Sequence, residues 1–130
     1  MSSSLLLRTA AIIALTPAAD YTTKEGYTVN VASGTATLST SATTPVRGVI
    51  LEGAATTGKA TVGILGSFEG TAKGKLSGTV TAGDRLQQAA DGTLVTDAGT
   101  GSRVIVGVAI EDGVSGDLIE VAWHVPLTLS

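Results

Sequence analysis

Alternation of aliphatic with small or polar residues, interrupted by glycine-containing turns, is the feature that most restricts the fold of this chain. In GSRVIVGVAIEDGVSGDLIEVAWHV, residues 101–125, two alternating runs flank a polar connector rich in Gly and Asp. A period of two is typical of a strand with one buried face. The two runs are therefore predicted to form the core hairpin, and its buried residues are Val104, Val106, Val108, Ile110, Ile119, Val121, Trp123 and Val125.

Shorter alternating segments precede this hairpin from Tyr27 onward. The chain of 130 residues contains 17 glycines, which favours tight turns between these segments. Ser33-Gly34 and Asp91-Gly92 have the composition of hairpin turns. A short helix over residues 84–90 is the alternative to a strand there. The pattern predicts an all-β domain over residues 26–130, a small barrel or sandwich of about eight short antiparallel strands.

Residues 1–25 differ from the rest because their aliphatic residues do not alternate strictly. They are predicted to form an N-terminal arm, either extended or with a short helix over residues 4–15, that binds a partner. A signal peptide is not favoured, because no positive charge precedes the apolar stretch and Arg8 interrupts it. The candidate partner-binding residues are Leu5, Leu6, Leu7, Arg8, Ile12, Ile13 and Leu15.

Composition argues against several classes of function. The net charge of −3 does not favour a nucleic-acid partner, since binding to phosphates needs clustered Lys and Arg. No cysteine is present, which excludes disulfides and thiolate metal sites. No segment has the roughly 18 to 20 consecutive apolar residues of a membrane-spanning helix. No cofactor is predicted.

The best match to a chemical motif is GAATTGKA, residues 53–60, which resembles a phosphate-binding loop. Ala60 stands where that motif has the hydroxyl that contacts magnesium, and a strand is predicted where the motif needs a helix N-terminus. The segment is therefore interpreted as a loop between two strands.

His124 and a group of carboxylates near the final hairpin are the other candidates for chemistry. His124 is the only histidine, and no G-x-S-x-G motif supplies a nucleophile. Glu111, Asp112, Asp117 and Glu120 do not follow the spacing of a calcium-binding loop. These residues are interpreted as surface and turn residues, so no catalytic and no metal site is predicted and an enzyme is not expected.

The arrangement of the second half of the chain resembles a known family. A Gly-Asp turn leads into a strand in VTAGDRLQ, an Asp-Gly hairpin follows, and the chain ends in V-I-V-G-V-A-I-E-D-G-x-x-G-D-L-I-E-V. Over residues 79–125 this is similar to the capsid decoration, or cement, proteins of tailed bacteriophages of the small β-barrel type.

The resemblance implies a structural protein of the virion, made in the host cytoplasm and bound to the outer face of the assembled capsid. Its expected partners are the major capsid protein and further copies of itself, as a homotrimer or in another stoichiometry. The alternative is a non-catalytic β-domain that binds something else, such as a head-fibre base, an adhesin or a carbohydrate-binding module. The scarcity of aromatic residues, four in total, speaks against sugar binding.

Overall fold

The computed structural model describes residues 12–68 and 70–130, and these residues form β-strands and turns with no helix. Ten strands follow one another along the described chain, in two sheets. They are β1 (Ile12–Pro17), β2 (Thr28–Ala32), β3 (Thr35–Leu38), β4 (Gly48–Glu52), β5 (Ala60–Ile64), β6 (Ala72–Lys75), β7 (Arg85–Gln88), β8 (Leu94–Thr96), β9 (Arg103–Ala109) and β10 (Leu118–Leu129).

The first five strands form a closed barrel in the order β1-β3-β2-β4-β5. The hairpin β2–β3 turns through Ser33 and Gly34, whose φ angles of 52° and 75° are both positive, as the two-residue hairpin turn requires. β1 closes the barrel, since it is antiparallel to β5 over four residue pairs and parallel to β3 over two. Pro17 fits here because it lies beyond the last β1–β5 pair, Leu15 with Ala60, so its missing N–H leaves that ladder intact.

The other five strands form a second sheet in the order β6-β10-β9-β7-β8. This sheet packs against β4, whose Val49 belongs to the core of the sheet whereas Ile50 belongs to the core of the barrel. Both faces of β4 are thus buried, which explains its continuous apolar sequence. The two sheets are therefore in contact through β4.

A buried glutamine joins the second sheet to the loop that precedes β4. Gln88 is fully buried; its Oε1 accepts the N–H of Val46 at 3.2 Å. Its Nε2 donates to the carbonyl oxygens of Ser41 and Thr44 at 2.8 and 2.7 Å. The side chain therefore satisfies three backbone groups of a loop that has no strand partner of its own.

The structure confirms the all-β fold and the small barrel predicted from the sequence. Two helix alternatives are wrong within the described residues, because Ile12–Pro17 and Arg85–Gln88 are strands. The predicted N-terminal arm, residues 1–25, includes the strand β1, which pairs with β3 and β5. Residues 12–25 belong to the barrel, with Leu15 and Tyr21 only 7% and 5% exposed.

Four of the eight predicted core residues lie in the core, and Trp123 packs against it from a partly buried position. The four are Val104, Val106, Ile119 and Val121. Val108 is only half-buried, and the predictions for Ile110 and Val125 are wrong, because their side chains are 52% and 65% exposed.

An extra residue in β9 explains the error at Val108 and Ile110. Leu86 of β7 pairs with Gly107, whereas Gln87 pairs with Ile105, so Val106 is a bulge. One extra residue inverts the alternation beyond it. Ala109, which is 2% exposed, therefore takes the inward position and Ile110 points outward.

A second irregularity explains Val125. Trp123 pairs with Gly107 and Leu127 pairs with Ile105, so β10 uses four steps where β9 uses two. The residues between them leave the ladder, and Pro126 suits such a position because it has no N–H to pair. Val125 is carried to the surface by this detour.

Candidate interaction surfaces

The loop that resembles a phosphate-binding motif connects two antiparallel strands, as predicted. A side chain at Gly53 would collide with the carbonyl oxygen of Tyr21, and the Gly53 N–H donates to Glu25 Oε2 at 2.9 Å. Lys59 Nζ donates to Thr16 Oγ1 at 2.7 Å. The groups that would hold a phosphate thus have partners within the protein, and the segment fastens β1 to β5.

His124 is half-buried, and its Nδ1 lies 2.7 Å from the carbonyl oxygen of the next residue, Val125. Because it sits where β10 leaves its ladder, the ring belongs to the surface beside the irregularity. Within residues 12–68 and 70–130, no three His, Cys, Asp or Glu side chains are grouped so that they could hold a metal ion.

The carboxylates near the final hairpin hold turns and strand ends. Asp112 Oδ1 accepts the N–H of Ala82 at 2.8 Å, and Asp117 Oδ2 accepts the N–H of Val114 at 2.9 Å. Lys73 Nζ bridges Glu111 and Glu120 at 3.6 and 3.5 Å. All three side chains of this bridge are at least one-third exposed, so it contributes little to stability.

The proposed partner-binding residues of the arm separate into three groups. Leu5, Leu6, Leu7 and Arg8 lie outside the described residues. Ile13 is half-buried and Leu15 is buried, and both pack on the barrel core; that they bind a partner stays a prediction. Ile12, at the start of β1, is 47% exposed.

Three exposed aliphatic side chains lie on the connector between β9 and β10 and at the first residue of β10. Ile110, Val114 and Leu118 are 52%, 56% and 41% exposed; we name them the connector patch. Sequence analysis missed this surface, since it took the connector as polar and Ile110 as core. The signal was present in Val114, an aliphatic residue inside the connector, and in Leu118, the first residue of β10.

The connector that carries the patch is held firmly by backbone hydrogen bonds. Val80 and Gly113 exchange two of them, at 2.8 and 3.0 Å, and Gly116 N–H donates to Leu76 O at 2.8 Å. A Cβ at Gly113 would lie 2.7 Å from Ile119 Cγ2, so only glycine allows this close approach. The aliphatic side chains are therefore displayed from a fixed frame.

A second apolar surface is a groove between Pro45–Arg47, Ile64–Leu65 and Val125–Pro126, which we name the Val125 groove. Its floor is fixed where the turn after β5 meets β10, because a side chain at Gly66 would collide with Val125 Cγ2. Arg47 lies exposed at the groove and forms no salt bridge with any described carboxylate.

The chain matches no protein-family model, and a search of curated protein sequences finds no match either. The part of the chain that the structure describes has no helix of the length and apolar character needed to span a membrane.

Proposed function

We propose that this chain is a structural protein of a phage virion, which binds the outer face of the assembled capsid and bridges neighbouring major capsid proteins. The observation that carries the proposal is the connector patch. It lies inside the segment V-I-V-G-V-A-I-E-D-G-x-x-G-D-L-I-E-V, on which the resemblance to capsid decoration proteins rests.

The patch has the properties expected of a contact with another protein. Single exposed aliphatic residues are normal on a protein surface, but these three fall within nine residues of the chain, on and beside one fastened connector. Glu111, Asp112 and Asp117 lie in the same connector and supply a polar rim. Because the frame is rigid, little conformational entropy is lost on docking.

Stabilisation of a capsid follows from linkage. A protein that binds only the assembled shell shifts the equilibrium towards that shell in proportion to its occupancy. Association of several copies, as in a homotrimer, would let each copy hold a different capsid subunit and raise the effective concentration of the remaining contacts. The chemistry requires no catalytic group and no cofactor.

Co-sedimentation with expanded heads, assembled from the major capsid protein of the same genome, tests the proposal. Wild-type protein should sediment with the heads and raise their melting temperature. Val114→Asp combined with Leu118→Asp should weaken binding by at least about tenfold, whereas Thr57→Asp in the exposed β4–β5 connector should bind as wild type.

The outcomes separate the function from the surface that performs it. If wild-type protein does not bind heads, the capsid function is wrong. If it binds and the double variant binds equally well, the connector patch is not the contact. Sedimentation equilibrium of the free protein tests the homotrimer independently.

A further inference from the structure

We propose that the Val125 groove is the docking site of this chain's own N-terminal segment, with Leu5, Leu6 and Leu7 as the side chains that fill it. The proposal concerns the free protein and does not depend on capsid binding. It follows from three properties of the described residues: what the groove is made of, where β1 begins, and how far the preceding residues reach.

The groove suits a few aliphatic side chains. It is lined by Pro45, Val46, Ile64, Leu65, Val125 and Pro126 besides Arg47, with Val125 as its most exposed aliphatic side chain, and its volume is about 290 Å³. Small-molecule sites usually occupy about 300 to 1,000 Å³ and bring together several polar groups. This groove is at the lower limit of size and offers Arg47 as its only charged side chain.

Val125 is the reason to expect an occupant. It is 65% exposed, the highest value among the large aliphatic residues exposed in the described chain. The detour in β10 that exposes it is held against the turn at Gly66, so the side chain is fixed at the surface rather than displaced by chance. Covering it would remove apolar area from water, which favours docking against the entropy lost when the segment is ordered.

The start of β1 lies close to one end of the groove. Ile12 pairs with Gly63 in an antiparallel ladder, so β1 begins next to Ile64 and the turn that follows it. Ile64 and Leu65 are themselves walls of the groove. β5 separates β1 from β4, and two strand spacings amount to about 10 Å.

The segment is long enough and has the right composition. Leu7 precedes Ile12 by five residues, which span up to about 17 Å when extended. It can therefore cross the end of β5 and reach the groove without any change in the barrel. Leu5 to Leu7 form the longest run of large aliphatic residues before β1.

Engineered disulfides test the proposal cleanly because the chain has no cysteine. Leu6→Cys combined with Val125→Cys should form an intrachain disulfide under mild oxidation, detected as a monomer that has lost two hydrogens in mass. The control combines Leu6→Cys with Ser115→Cys, an exposed residue of the connector before β10. The first pair should oxidise at least tenfold faster than the control.

Each outcome decides the matter. Disulfide-linked dimers from the Val125 pair would assign the groove to the segment of a second copy and overturn the proposal. Equal rates for the two pairs, or no disulfide, would also overturn it. As a second measurement, deleting residues 2–7 should increase hydrogen exchange at residues 64–66 and 124–127 of the otherwise wild-type protein; unchanged exchange contradicts the docking.

Discussion

The closed barrel and the five-stranded sheet are built from the same kind of sequence but are completed in different ways. Neighbours in the sheet are mostly near in sequence, as in the hairpins β7–β8 and β9–β10. The barrel closes only when β1 reaches β5, whose paired residues lie 45 or more positions further along the chain. Local pairing can be recognised from alternation, whereas closure of the barrel depends on a contact that no local pattern encodes.

The two hydrophobic cores also differ, in the number and size of their side chains. The core of the sheet consists mainly of large aliphatic residues, among them Leu76, Leu86, Leu94 and Ile119. The core of the barrel is smaller and includes Ala36, Ala60 and the ring of Tyr21, whose hydroxyl accepts the N–H of Leu38 at 3.0 Å. The barrel therefore has few large side chains to lose, and removing one of its strands should destabilise it severely.

The largest expected effect is loss of the fold on deletion of residues 2–16. The deletion removes nearly all of β1, withdraws Leu15 from the core and leaves one edge of β5 unpaired. Burial of one such side chain is worth about 1.5 to 3 kcal/mol, and the lost strand pairing adds to this. Against a typical total stability of about 5 to 15 kcal/mol, we expect most molecules to be unfolded or molten at 37 °C.

Thermal unfolding followed by circular dichroism measures this effect, with deletion of residues 2–9 as the matched control, since it leaves β1 whole. The shorter deletion should keep a cooperative transition. A cooperative transition of similar midpoint for the longer deletion would show that the barrel does not need β1, and that residues 12–16 are an arm after all.

Sequence analysis succeeded where side-chain pattern and turn chemistry agree. Ser33-Gly34 and Asp91-Gly92 marked two hairpins correctly, and β9 and β10 pair as the predicted antiparallel hairpin. It failed at β1, because Ile12, Ile13 and Leu15 do not alternate cleanly. Ile12 is exposed on the outside of the barrel, whereas Leu15 is buried inside it. β1 is recognised as a strand only from its pairing with β3 and β5.

Bulges set a second limit to what the sequence can tell. The extra residue at Val106 is defined by the register between β9 and β7, and nothing in VIVGVAI marks it except Gly107. A one-residue change of register moved Ile110 from the predicted core to the surface, and with it the connector patch became visible. The candidate surface was missed for the same physical reason as the core error.

An intermediate effect is expected from placing a charge at either of two neighbouring residues beyond this bulge. Ala109→Asp introduces a carboxylate at a position that is 2% exposed, within the apolar core of the sheet. An uncompensated buried charge costs about 3 to 5 kcal/mol. Ile110→Asp, one residue further on, places the same charge on the surface and should change the free energy of unfolding by no more than about 0.5 kcal/mol.

Urea denaturation of the two variants measures the difference directly. Both variants carry the same added charge, so a difference between them reports only the direction in which each side chain points. If Ile110→Asp is the more destabilising of the two, the alternation continues without a bulge and the original assignment of Ile110 to the core is correct.

The smallest effect concerns acid sensitivity and compares one carboxylate from each region. In the sheet, the Gly99 N–H donates to Asp97 and the Arg103 guanidinium binds it, and together they hold the pKa of Asp97 below its ordinary value of 3.8. In the barrel region, hydrogen bonds from Thr22 lower the pKa of Asp20 in an exposed turn.

A carboxylate whose pKa is lower in the folded state stabilises that state above its ordinary pKa, and this stabilisation is lost as the pH falls through the lowered value. The urea midpoint of the wild-type protein should therefore decrease as the pH falls below about 4. Asp97→Asn should reduce the steepness of that decrease more than Asp20→Asn does, because Arg103 is 8% exposed and Asp97 is its ion-pair partner. Equal slopes for the two variants would mean that the Asp97–Arg103 pair holds the sheet no more firmly than an exposed turn holds the barrel.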